Sequence, residues 1–432
     1  MRNIAFLLCF LILATTLSAQ TPELRFQART IPRLPALHSF AWAKWQNKLL
    51  VLGGRTDGLH QKQPFAAFHP RYRNDSIFVI DLLTEKVWSS SLTGLSADIK
   101  DQLQSTNMEF NQQHERLLCV GGYGFGDATK KFTTYPALLE LQIPEIIEAI
   151  QNNQAWEKHI TRISHNDLAV CGGYLGYLNN TYYLVGGHRF DGKYNPHGPD
   201  HGPGFTQQYT DQIRRFKRTK KGSIKWLKPI TDTSLLHRRD MNVLPQYRTN
   251  GTVGLTIFSG VFQRQAELPY KTLVDIDDDK IKEVPNFEQR FSHYHNAHLP
   301  IYDRNASTSY NLFFGGIAEF YRNDKGEVIQ NNLLPFTRNI SLITRSEKMN
   351  KEELLALEFP ELLGASAMFI PTQTELFDQN RILLWDKLPA GEHHVGFIMG
   401  GILSTGRIIF WPGDKDSSQA NQKIWDIYLI KK

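Results

Sequence analysis

Two histidine-rich segments carry the densest chemistry in this 432-residue chain. His188-Arg189-Phe190-Asp191 opens a loop that runs on to His197 and His201. Its His-x-x-x-His spacing with a nearby Asp is a donor set that suits Zn, Cu, Fe or Ni. Gly and Pro pack the loop densely and no helical spacing fixes the ligands, so an ordinary polar loop is the simpler reading. The second segment is Ser292-His293-Tyr294-His295-Asn296-Ala297-His298. Alternate residues of a strand share a face, so either His293 and His295 or Tyr294, Asn296 and His298 look one way. Further candidates are Arg55, Asp57, Arg189, Arg238, Arg239, Arg264 and Glu319. Converging guanidinium groups suit carboxylates and sugar acids through bidentate hydrogen bonds. Tyr123, Phe125, Tyr174 and Tyr321 offer faces on which a sugar could stack. No Gly-x-Ser-x-Gly, His-Glu-x-x-His or phosphate-loop pattern appears, so no motif names a reaction.

The composition is that of a globular chain: 41% hydrophobic, 21% charged and three cysteines. Disordered, collagen-like and disulfide-stapled classes are thereby excluded. The net charge of +6, from 49 basic and 43 acidic residues, is mild for this length. The densest basic run, residues 214–221, falls at a turn between outer strands, so no nucleic-acid partner is expected. The acidic residues 275–279 occupy the equivalent turn of the next unit and lack the Gly and Glu of a calcium loop; a solvated turn is expected. Residues 1–20 read as a signal peptide: Arg2, an apolar stretch from Ile4 to Ala14, then a small-residue exit with cleavage near 19–20. A periplasmic or secreted product follows, with no membrane span after cleavage. Cys119 and Cys171 lie in apolar runs and read as buried free thiols.

What positions the candidate residues is a repeat. Four mostly apolar residues followed by a small pair, usually Gly-Gly, recur six times, ending at Gly54, Gly122, Gly187, Gly260, Gly316 and Gly401. The intervals are irregular, 56 to 85 residues. Each copy lies between an earlier strand and a later one, and Trp88, Trp156 and Trp226 mark a fourth strand in the first three units. Four-stranded antiparallel sheets cannot bury both faces alone, whereas sheets packed radially as blades can. The pattern predicts one domain over 21–432, with blades at about 37–92, 105–162, 167–231, 238–285, 291–360 and 364–432. The last blade lacks a strand, and residues 22–32 are strand-like without a partner, so they close the ring. Residues 144–154 predict a helix inside blade two, and residues 95–104 a second one.

The apolar-Gly-Gly strand followed by a spaced tryptophan resembles the Kelch repeat, over nearly all of the chain after residue 20. The resemblance implies an all-β, six-bladed β-propeller. In size, blade number and compartment it is similar to the sialic-acid mutarotase branch, where polar residues of an axial funnel assist ring opening and proton transfer; no residue-by-residue match carries over. Galactose-oxidase-type propellers bind copper through Tyr and His, but their seventh blade and Tyr–Cys crosslink have no counterpart here. Long insertions follow the Gly-Gly pairs, so that rim is the expected functional face. Superposing the blades puts His38, Asn107, Asp240, His295 and Ser366 at comparable starts of the inner strands. The expected ligand set is therefore His38, Arg55, Asp57, Asn107, His188, Arg189, Arg239, Asp240, His293, His295 and Glu319. Of these, His38, His295 and Asp240 could hold a metal, although no cofactor is required. The readings that follow are a monomer binding, or isomerising, a small polar ligand such as a sugar or sugar acid; a rim that recognises a glycan or partner protein; and a His-ligated metal enzyme.

Overall fold

The computed structural model describes residues 22–60, 67–195, 204–409 and 417–432. The expected signal segment lies outside them. Six antiparallel sheets follow one another along the chain, each running from an inner strand outward. Blade one comprises Ala41–Trp45, Lys48–Leu52, Ser76–Asp81 and Val87–Ser91. The inner strands of blades two to six are Thr106–Gln113, Tyr174–Leu178, Asn242–Tyr247, His298–Asp303 and Ala367–Pro371. Blade six takes its outer strand from the other end of the chain: Glu23–Arg29 pairs antiparallel with Ile424–Lys431, from Glu23 opposite Ile430 to Arg29 opposite Ile424. The chain is thus an all-β, six-bladed propeller closed by its N-terminal strand.

The apolar run of each second strand follows from packing. Successive strand residues point to opposite faces, and both faces of a blade meet a neighbour. Leu117 and Cys119 join Leu50 and Val79 between blades one and two. Leu118 and Val120, one residue on, join Leu175 and Leu184 between blades two and three. Tyr183 with Ile257, Phe258 with Phe313, Leu312 with Ile398, and Met399 with Val51 fill the other four gaps. Six separate inter-blade cores, rather than one central core, hold the ring. Trp156 lies in the core of blades one and two, its indole N–H donating to Ser90 Oγ at 2.9 Å. Helices form at Ile143–Gln151 and Ala97–Leu103.

The glycine pairs have a specific task. In all six, both residues have positive φ: +54° to +69° for the first and +78° to +98° for the second. That turn aims the second residue's N–H at the next blade. Gly54 donates to Ser105 O, Gly122 to Val170 O, Gly187 to Arg238 O, Gly260 to His293 O, Gly316 to Leu363 O and Gly401 to Leu37 O, at 2.8–3.2 Å. The approach leaves no room for a side chain: a Cβ on Gly121 would stand 1.8 Å from Val170 O. Ser259 replaces the first glycine of blade four at φ +54°, and its hydroxyl donates to Tyr270 O. The turn expected to be solvated at residues 275–279 is only partly so. Asp275 accepts from Arg248, Arg345 and Thr256, which ties blade four to blade five.

Candidate functional site

The inner strands begin at a ring around the axis. Ser39, Asn107, Gly172, Asp240, His295 and Ser366 occupy it, and all but His295 have positive φ. Their backbones link blade to blade: Asn107 N–H to Ser39 O, Asp240 N–H to Gly172 O, His295 N–H to Asp240 O and Ser366 N–H to His295 O. The blade-one member is therefore Ser39, and His38 stands one residue further out. The sequence superposition misses this because the left-handed residue, rather than a residue type, marks the register.

On the Gly-Gly side of the ring lies a funnel floor. His38 pairs through its backbone with Arg55, Cys171 with His188, and Arg239 with Val261. Arg55 is buried and grips Asp57 at 2.8 and 2.6 Å. Asp57 Oδ1 lies 3.6 Å from His38 Nε2, and His38 Nδ1 lies 3.0 Å from Ser39 Oγ. Burial alone would raise the Asp57 carboxyl, but His38 and Arg55 hold it below the usual range. Burial also lowers His38, so that imidazole is neutral at pH 7. Opposite stands Arg239. Its Nη1 reaches Asp240 at 3.1 Å, its Nε reaches Tyr209 Oη at 3.3 Å, and its guanidinium lies 4.2 Å over the Phe262 ring. The third nitrogen has no hydrogen-bond partner among the described residues. Tyr194 and Tyr294 stand close enough to share its field. Burial pushes the Asp240 carboxyl above its ordinary range, against the pull of Arg239.

Several expected residues are occupied elsewhere. His188 is buried in the hairpin of His188–Gly192 and Phe205–Tyr209, its Nδ1 2.7 Å from Gln207. Arg189 pairs with Asp191 on the same hairpin. His293 is fully buried between Gln289 O and the Glu319 N–H. Glu319, 1% exposed, accepts from Lys271 and Gln330. His293 and Glu319 brace loops and Arg189 is held on its hairpin, while His188 packs by Tyr209 within the field of Arg239. The alternation expected for residues 292–298 fails because the strand starts only at His298. Ser292 turns through φ +54°, which sends His293 into the protein, while both His295 and His298 face the channel. The expected His188–His201 metal loop reaches into residues outside those described. Among the described residues no group of three or more His, Cys, Asp or Glu could hold a metal ion. Cys119 and Cys171 are buried and unpaired, and burial raises both thiols.

On the other side of the ring an axial cavity of about 180 Å³ runs along the inner strands. Glu109, Tyr174, His295 and His298 line it, with Trp42, Phe110 and Phe369. The blade-six loop narrows it: Leu383–Leu384 adds in parallel to the inner strand of blade five, and this brings Asn380 and Arg381 into the cavity. Sequence reading missed Glu109 and Arg381. The Asn107-x-Glu109-x-Asn111 alternation was the available signal for the first, and none marked the second.

The ring, funnel and cavity define a β-propeller with an axial polar site. No protein-family model matches the chain, and no curated protein matches it. Among solved structures it is similar to "Structure of YjhT", at a TM-score of 0.48 and 9% identity over 90% of this chain and 99% of that one. The propeller assignment rests on the sheets themselves.

Proposed function

We propose that this chain binds a small polar ligand, a sugar acid or sugar, in the funnel on the Gly-Gly side of the ring. One observation carries the reading: a guanidinium, Arg239, set among Tyr209 and Phe262 with one nitrogen uncommitted. A carboxylate matches such a donor by charge and geometry, and the aromatic faces suit the apolar side of a sugar ring. Asp240, held towards its protonated form beside that guanidinium, is the group able to exchange a proton with a bound hydroxyl. Isomerisation of the ligand would run through it. The N-terminal segment supports an exported protein that meets its ligand outside the cytoplasm; among the described residues no helix is long and apolar enough to cross a membrane.

The test is calorimetric titration with N-acetylneuraminate, glucuronate and galacturonate, with glucose and galactose as neutral controls. Arg239→Ala is expected to weaken acid binding at least tenfold in a chain that still folds, as circular dichroism checks. Acceleration of anomer exchange, followed by proton NMR and lost in Asp240→Asn, would establish catalysis. If no sugar binds, or if Arg239→Ala binds unchanged, the funnel is not the site and a rim that recognises a partner protein takes its place.

A further inference from the structure

The axial cavity lies across the ring from the Arg239 funnel, and an acidic and a basic side chain face it without an ion-pair partner among the described residues; Asp240, a further carboxyl of its lining, pairs with Arg239. Glu109 is 6% exposed. One of its oxygens accepts the Gly173 N–H at 2.7 Å, and the other has no partner among the described residues. Burial pushes this carboxyl well above the usual range; the Gly173 bond opposes that and the Asp240 charge adds to it. At the far end, Arg381 spans from the blade-six loop to Gln112 Oε1 at 3.3 Å, lying 4.9 Å over the Trp42 ring. No carboxylate of the described residues pairs with it. Glu109 and Gln112 are three strand residues apart, roughly 10 Å along the axis. Between the ends the walls are mostly apolar, with Phe110, Tyr174 and Phe369. His295 and His298 add polarity without charge, burial holding them at about 3 and about 4.

An apolar cavity with a few fixed polar groups is what a small-molecule site requires. A guest ammonium would restore the charge on Glu109, and the aromatic faces favour a cation there. A guest carboxylate fits the Arg381 fork.

We propose that the axial cavity is a second ligand site, separate from the funnel, for a short peptide with free termini and apolar side chains. Its ammonium lies against Glu109, its carboxylate against Arg381 and its side chains along the aromatic walls. The span of roughly 10 Å and the volume of about 180 Å³ suit a dipeptide of small apolar residues; the two charges of a single amino acid are too close together to reach both ends.

The probe is alanyl-alanine, titrated calorimetrically into the full chain beside its N-acetylated and C-amidated forms. The free peptide is expected to bind at least tenfold more tightly than either blocked form. Glu109→Gln should remove the preference for the free amine only, and Arg381→Gln the preference for the free carboxylate only. Rescue of each variant's relative affinity by the matching blocked peptide excludes misfolding as the cause. Equal binding of free and blocked peptides, or no binding, overturns the proposal. So does competition between peptide and sugar acid, which would put both in one site; loss of sugar-acid binding alone bears on the funnel only.

Discussion

Gly121 shows how much a single residue can carry in this fold. It combines φ +65° with a Cβ position 1.8 Å from a carbonyl of the next blade. Gly121→Ala must strain its own backbone and displace Val170, a loss on the order of 2–4 kcal/mol. Ser259→Gly, at the same position of blade four, trades one hydroxyl bond for an easier backbone and should stay within about 1 kcal/mol of the parent. Urea midpoints of the two variants compare them directly; equal losses would refute this account of the pair. Glu352 gives a second residue-scale prediction. It accepts from the Arg290 and Phe291 N–H groups and the Ser341 hydroxyl, yet burial outweighs those bonds and lifts its pKa to about 7. The folded state then keeps a proton that the unfolded state releases above about 4.5. Its stabilising contribution is full below that pH and is lost as pH rises through about 7. Glu352→Gln should flatten this part of the stability profile between pH 5 and pH 8.

At the scale of elements, the closing strand is the exposed joint of the ring. Glu23–Arg29 covers the edge of Ile424–Lys431, and Arg29 reaches Asp426 at 2.9 and 3.1 Å. Asp426 also meets His394 and is held below the usual carboxylate range: burial alone would raise it, but His394 and Arg29 outweigh that. Arg29→Ala leaves this carboxylate short of a partner and should cost roughly 1–3 kcal/mol. Removing residues 23–29 altogether bares a long strand edge, so the shortened chain should self-associate in light scattering. A stable, monodisperse shortened chain would show that blade six holds without it. The Gly-Gly strands, the closing strand and the two helices were legible because their signals are local: apolar runs, small pairs and, for the helix in blade two, Pro144 in its first turn. The Leu383–Leu384 strap was not legible. Its two residues join the inner strand of blade five, a pairing no local pattern encodes.

For the molecule as a whole, histidines at the axis and beside it are kept neutral by burial. His293, His295 and His298 are lowered to about 4, about 3 and about 4, in each case chiefly by burial. The unfolded chain binds those protons below about 6.5 and the folded chain does not. Each depressed histidine therefore subtracts stability as pH falls from about 6.5 towards about 4, on the order of 1.4 kcal/mol per pH unit. Glu352, Glu109 and Asp240, all raised by burial, work in the opposite direction over part of this range, but His38 and His188 are lowered as well, so three carboxyls oppose five imidazoles. The urea midpoint should drop between pH 6.5 and pH 4.5; a flat profile would show these histidines reachable by water.

The sequence by itself determined the number of blades, their order and the way the ring closes. Those properties follow from strands that must bury both faces and from turns that only small residues can make. Tertiary structure decided which polar residues share the axis. His38 and Ser39 are adjacent in sequence, yet a left-handed residue puts one in the ring and the other outside it. His293 and Glu319 look like site residues by type, and packing turns them into braces for a loop. Glu109 and Arg381, far apart in the chain, face one cavity because the ring brings blades two and six to a common axis. A side chain's direction at a bend depends on backbone angles and neighbours from other blades. Neither is written in the spacing of residue types.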